Sequence, residues 1–238
     1  MFSKLLIKII AIYSIIFLIF LSIVTFTGDA TNNEKAIIKM ALLLNLIWCV
    51  GFGLYTLKNK NKIKQKFNQI KSDLSWKKKF FIFFLGLILL EEIITTTLTN
   101  LAPALGGEIG KSFITASTNY FEVIFFHSAI IFVPFIFIWI YLFSKYDFSA
   151  NQAFLLFGLV GTLAEAMLSP FALISGFWFF VYGLMIYLPA YTLPQRENLL
   201  PAGIWAHIQA IILPFIVSIP MSLFVIWLRS VFGIELLV

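Results

Sequence analysis

Charge is the scarcest ingredient of this chain. Asp, Glu, Lys and Arg make up 12% of its 238 residues, against roughly 25% in an ordinary soluble domain. Acidic residues number 11 and basic ones 17, and histidine occurs twice. Cysteine occurs once, as Cys49 within an apolar stretch, which excludes an intrachain disulfide and any Cys/His zinc finger. Neither a lipidation box nor a polar segment long enough for a soluble domain is present. What fills the chain instead is 61% hydrophobic residues, with 28 Phe and 6 Trp and a mean hydropathy of +0.98. That composition predicts an all-α, polytopic integral membrane protein in which residues 1–238 form a single membrane domain.

Seven apolar segments have the length of a crossing, about 5–26, 37–57, 80–101, 119–143, 152–169, 172–193 and 204–228. The first reads as an uncleaved span, because its apolar run exceeds a signal-peptide core and TFTGDATNN is a poor cleavage site. The fifth and sixth are divided only by Ser169-Pro170, where proline either kinks or ends a helix. Lysine and arginine orient the bundle. The 58–79 loop holds nine lysines, and an inside N-terminus adds Lys4, Lys8, Lys145 and Arg196 on the same face. Thirteen basic residues then lie inside, and only Lys35, Lys39, Lys111 and Arg229 lie outside, so the N-terminus is expected inside and the C-terminus outside.

The basic loop has its own periodicity. Ile63, Phe67, Ile70 and Leu74 fall on one helical face, with lysines around the rest and Trp76 at the end. We expect an amphipathic helix resting on anionic lipid of the inner leaflet, with no nucleic-acid partner. A prokaryotic plasma membrane is the expected location for so short a chain.

Two adjacent carboxylates, Glu91 and Glu92, stand deep in the third span. Each costs on the order of 2.5–3.5 kcal/mol to insert, and neighbouring like charges cannot both ionise cheaply. With the expected orientation, Glu122 and His127 of span four and Glu165 of span five share their outer half of the bilayer, with Thr95, Thr96, Thr99, Asn100 and Asn119 at similar depth. Lys39 is the one cation expected within reach. We take Glu91, Glu92, Glu122, His127 and Glu165 as the candidate catalytic set. Each also has a structural reading: Glu122 as an interfacial cap, His127 as a bonded core histidine, Glu165 as a partner of Lys39. His207, beside Trp205 at the opposite face, reads as an interfacial anchor. In span five, Gly158, Thr162 and Ala166 form one small-residue ridge and Gly161, Glu165 and Ser169 the next, so a partner helix can approach closely. The Tyr182, Tyr187 and Tyr191 series in span six reads as packing and anchoring. Gly106, Gly107 and Gly110 lack a βαβ context for nucleotide binding, and Ser112, Ser117 and Ser128 lack a nucleophile motif.

The Glu91-Glu92 pair with later membrane-embedded histidines resembles the intramembrane CAAX-type (CPBP) glutamic protease family and the PrsW-like family. Thr96 stands where the first family has arginine, and Thr95 where the second has lysine; His127 follows Val123, His207 precedes Ile211, and Phe121-Glu122 is similar to the second PrsW-like motif. The resemblance implies a glutamic hydrolase in which Glu91 and Glu92 handle the proton and His127 orients water or the oxyanion. The residues alone leave three alternatives: a proton- or cation-coupled transporter, a homodimer supplying its second half; a site for a divalent metal on the four Glu and His127; and a non-catalytic membrane protein.

Overall fold

Residues 2–69 and 74–234 are described by the computed structural model, the side chains of Ser128 and Leu168 excepted. Ile70 and Lys71 of the basic loop, and the Ser128 hydroxyl, lie outside the described residues. An apolar run without glycine or proline forms α1 (Phe2–Thr27), which stops at Gly28-Asp29. Thr31 opens α2 (Asn32–Leu44) through a capping box: its hydroxyl accepts from the Glu34 N–H, and the Glu34 carboxylate accepts from the Thr31 N–H. A π-helical stretch (Asn45–Phe52) joins α2 to α3 (Gly53–Gln69), and the three make one 38-residue helix. After α4 (Trp76–Asn100) come a 3-10 turn at Pro103–Leu105 and an irregular segment to Asn119. Asn119 then caps α5 (Tyr120–Phe126), which is followed directly by α6 (Ser128–Lys145) at a 43° bend.

The second half is a hairpin and a return. A second capping box, Ser149 with Gln152, starts α7 (Ala150–Leu168). Ser169-Pro170 ends that helix rather than kinking it. The one-turn α8 (Ala172–Ser175) and Gly176, at φ +69°, lead into α9 (Phe177–Thr192). Gly176 is needed there, because its φ is in the left-handed region and an added Cβ would meet the Ser14 hydroxyl at 2.5 Å. The chain closes with α10 (Ile204–Phe232). Two short strands, β1 (Tyr146–Asp147) and β2 (Leu200–Pro201), pair in parallel beside the α6 C-terminus.

The fold is all-α, about 81% helical. Among the described residues five helices are long and apolar enough to cross a membrane, six if the bent α5–α6 pair counts as one. The sixth expected span, α9, has sixteen residues, about 24 Å at 1.5 Å per residue. The basic segment also differs from expectation. It is not a separate helix but the C-terminal part of the Asn32–Gln69 helix, and Ile63 and Phe67 pack on the protein. The Phe67 ring lies 5.2 Å from Phe83, and Lys60 and Lys64 lie 5.0 and 5.5 Å over the Tyr191 ring. The lysine face thus crosses the ends of α4 and α9.

Lipid tails offer no hydrophobic drive for helices to associate, so close packing holds such a bundle together. Here aromatic rings do most of it. Phe80 meets Phe143 at 5.4 Å, Phe84 meets Phe157 at 5.2 Å, and Trp139 touches Phe143 and Phe157. All five are fully buried, and edge-to-face pairs contribute about 0.5–1.5 kcal/mol beyond their area. The hairpin closes more tightly: a Cβ at Gly158 would meet the Phe179 carbonyl oxygen at 2.5 Å, and one at Gly161 would meet Tyr182 at 2.0 Å.

Candidate functional site

Two helices bring their carboxylates to one level, and the break in a third span brings a histidine. Phe84 of α4 packs on Phe157 of α7, and both helices run the same way, so eight residues further along Glu92 and Glu165 are level. The α5–α6 span runs antiparallel to α4: Phe80 meets Phe143 near one end, and the Thr97 and Tyr120 hydroxyls share a 3.0 Å hydrogen bond near the other. Between those contacts, His127 falls at the depth of Glu91-Glu92.

Glu91 and Glu92 are 4% and 5% exposed. Glu165 sits in the last turn of α7, and the Tyr182 hydroxyl of α9 donates to its Oε1. The charges of Glu91, Glu92, Glu165 and Tyr182 act on one another, and Cys49 of the π-helical stretch faces Glu91. Three carboxyl groups and a phenol therefore form one electrostatically coupled cluster, buried at Glu91, Glu92 and Tyr182 and half-buried at Glu165. Its floor, toward the lysine-rich end, is the aromatic belt of Phe84, Phe80, Phe157 and Trp139. Toward the other end α4 continues in hydroxyls and an amide. Thr95 Oγ1 donates back to the Glu91 and Glu92 carbonyls at 3.2 and 3.1 Å. Thr99 Oγ1 accepts from the Ile114 N–H at 3.2 Å, and Asn100 Nδ2 donates to the Thr118 carbonyl at 2.9 Å. The Thr96 hydroxyl, one turn beyond Glu92, is fully buried and makes no hydrogen bond among the described residues.

The remaining candidates group around a different residue. Glu122 occupies the first turn of α5, where the Ser117 hydroxyl donates to its carboxylate and Asn119 supplies the helix cap. A carboxylate there complements the helix dipole. Arg229 of α10, 9% exposed, donates through Nε to the Phe126 carbonyl, the last of α5, and interacts electrostatically with both Glu122 and His127. His127 itself is the break between α5 and α6, at φ −143° and ψ −121°. A helical-wheel relation between Glu122 and His127 therefore does not apply. Lys39 does not meet Glu165: its Nζ donates to the Leu105 carbonyl at 2.7 Å. His207 lies at the opposite end, its Nδ1 2.8 Å from the Gly203 carbonyl and its ring against Phe148. In the segment between α4 and α5 Lys111 bonds Glu108 at 2.8 Å, and that bond and charge hold the Glu108 carboxyl below the usual carboxylate range.

Sequence reasoning missed Tyr182 and Arg229. Tyr182 carried a signal: Gly161 and Glu165 lie on one ridge, and the helix pressed on that ridge must supply Glu165's partner. Arg229 fell one residue past the expected end of its span. The metal alternative finds no donor set, since among the described residues no group of three or more His, Cys, Asp or Glu is arranged to hold an ion. Comparison with protein-family models, curated proteins and solved structures yields no match. The class is therefore defined by fold and site alone: an all-α chain with several membrane-length apolar helices around a buried carboxylate cluster.

Proposed function

We propose that this chain is a multi-pass protein of a prokaryotic plasma membrane, N-terminus inside and C-terminus outside, with α9 as the short sixth of seven crossings. Its Glu91–Glu92–Glu165–Tyr182 cluster is the acid–base centre of an intramembrane hydrolase. The observation that carries this reading is the polar asymmetry of the surroundings: buried hydroxyls and one amide continue from the cluster along α4 in one direction, and a fully buried aromatic belt lies in the other. An enzyme site needs access from one face only. Carboxyl groups this close share protons, so one carboxylate takes a proton from water while a neighbouring acid returns it to the leaving group. Glu92 is assigned as base, Glu91 and Glu165 as the proton-sharing partners, and Tyr182 as the donor that orients Glu165. The likeness of Glu91-Glu92 to the glutamic protease pair supports the same assignment.

The second reading, proton- or cation-coupled transport, is favoured by one feature. The span containing His127 is broken at the depth of the glutamates, as helices in transporters are at their ion sites. Purified protein in nanodiscs, incubated with a set of transmembrane peptides and analysed by mass spectrometry, separates the two. Hydrolysis that falls by roughly 10²–10⁴-fold in Glu92→Gln, with the variant still folded, is the expected outcome. Equal cleavage by Glu92→Gln, or proton flux into liposomes without cleavage by the wild type, overturns the assignment.

A further inference from the structure

Residues 101–119 cross from the end of α4 to the cap of α5 with one short turn of 3-10 helix, Pro103–Leu105, and no other regular structure. The first part of this crossing is fixed to α2. Lys39 Nζ donates to the Leu105 carbonyl at 2.7 Å, and a Cβ at Gly107 would meet the Ala36 Cβ at 2.7 Å, so the backbone there lies directly on the helix. The last part is fixed as well, by the Ser117 hydroxyl on Glu122 and by Asn100 Nδ2 on the Thr118 carbonyl at 2.9 Å. Residues 108–116 form a strap between these two anchors.

Among the described residues, two side chains carry the strap's hydrogen bonds to the helices. Asn33 Oδ1 of α2 accepts from the Glu108 N–H at 2.9 Å and from the Ser112 hydroxyl at 2.8 Å, and that hydroxyl also lies 3.4 Å from the Asn33 carbonyl oxygen. Thr99 Oγ1 of α4 accepts from the Ile114 N–H at 3.2 Å. Apolar support is slight: Ile114 packs on the hydrophobic core, whereas Ile109 is 59% exposed. The ion pair of Lys111 with Glu108 is internal to the strap. Beneath it lies the polar end of α4. Thr99 and Asn100, both bonded to this crossing, stand one turn from Thr96, and Thr96 stands one turn from Glu92. Thr96, Thr99 and Ser112 are fully buried, so the polar row that ends at Glu92 is shielded where the strap lies on it.

We propose that residues 108–116 are a lid, latched by Asn33, whose release opens the way past Thr99 and Thr96 to Glu92. A segment held by few hydrogen bonds and little apolar burial opens at lower free energy than the packed helices around it, and lids of this kind admit reactants to closed sites. Asn33 is the latch because one oxygen atom takes two of the strap's bonds, and both are lost together when the strap lifts. The proposal rests on the hydrolase reading only for what passes the lid, water and a peptide. The opening itself is independent of that reading.

The rate at which a thiol under the strap is modified tests it. Full-length protein carrying Thr96→Cys and Cys49→Ser, in nanodiscs, is treated with a membrane-impermeant thiosulfonate and followed by peptide mass spectrometry. Asn33→Ala removes both side-chain bonds of the latch and is expected to speed modification by roughly 5- to 100-fold. Asn33→Asp keeps the accepting oxygen and is expected to restore the slow rate. Lys111→Gln, which breaks only the ion pair within the strap, changes the rate little. A second reporter, Ile88→Cys in place of Thr96→Cys, is fully buried one turn from Glu92 toward the aromatic belt and reads loosening of the whole bundle. It is expected to stay slow in Asn33→Ala. An unchanged Thr96→Cys rate in Asn33→Ala overturns the proposal, as does equal acceleration by Lys111→Gln or at Ile88→Cys. Neither reporter needs hydrolysis, so a protein that cleaves no peptide yet shows the Asn33 effect loses the hydrolase reading and keeps the lid.

Discussion

Glu165 meets Tyr182 because a glycine lets α7 and α9 approach within contact. Gly161 leaves no room for a methyl group beneath the Tyr182 ring, and that closeness brings the Tyr182 hydroxyl to Glu165. Gly161→Ala therefore forces the α7–α9 hairpin apart. We expect a loss of about 1–3 kcal/mol, read as a lower thermal unfolding midpoint, together with loss of the Tyr182–Glu165 hydrogen bond. Gly86→Ala is the control, since nothing lies within 4 Å of its added Cβ. Better helix propensity makes it neutral or stabilising by roughly 0.5–1 kcal/mol. Equal losses from the two substitutions would mean that the close approach of α7 and α9 is not what sets this site. The expensive glutamates and the glycine ridge were legible in the sequence, because depth and spacing follow from counting along a helix. Which tyrosine answers Glu165, and that Glu122 has Ser117 and Asn119 for partners, depends on helix rotation and tertiary packing, which counting does not fix.

At the scale of elements, the long apolar runs announce their helices, and two capping boxes mark their starts. Ser149 opens α7 and sets where Glu165 falls sixteen residues on. Ser149→Ala removes one side of that box and is expected to cost about 1 kcal/mol. Ser144→Ala, whose exposed hydroxyl bonds only to the Ile140 carbonyl of its own helix, is expected to change little. Differential scanning fluorimetry in detergent compares them, and a Ser149→Ala melting curve matching the wild type would contradict the capping argument. The break between α5 and α6 was not legible. Proline was the available marker, yet Pro134 lies inside α6 while the chain turns at His127. That turn is held from a distance, by Arg229 on the Phe126 carbonyl. The basic helix was legible as a helix, but not as the continuation of a span, because its apolar face is answered by Phe83 and the end of α9, far along the chain.

At the scale of the whole molecule, the account rests on asymmetry. Lysine gathers at one end of the bundle, the buried rings of Phe80, Phe84, Trp139, Phe143 and Phe157 lie between that end and the glutamates, and α4 continues beyond the glutamates in buried hydroxyls and one amide. A hydrolase is served by such a gradient, since water and a peptide bond need only one way in. A transporter must open to both faces in turn. Thr96 stands at the boundary, fully buried and one turn beyond Glu92. The most direct test places a thiol there: Thr96→Cys in a Cys49→Ser background, reconstituted in vesicles of known orientation. A membrane-impermeant thiosulfonate is then added to one face at a time, with peptide mass spectrometry as the readout. The account predicts labelling from the face carrying Lys111 and none from the lysine-rich face. Labelling from the lysine-rich face, or from neither, would contradict a site entered from one side.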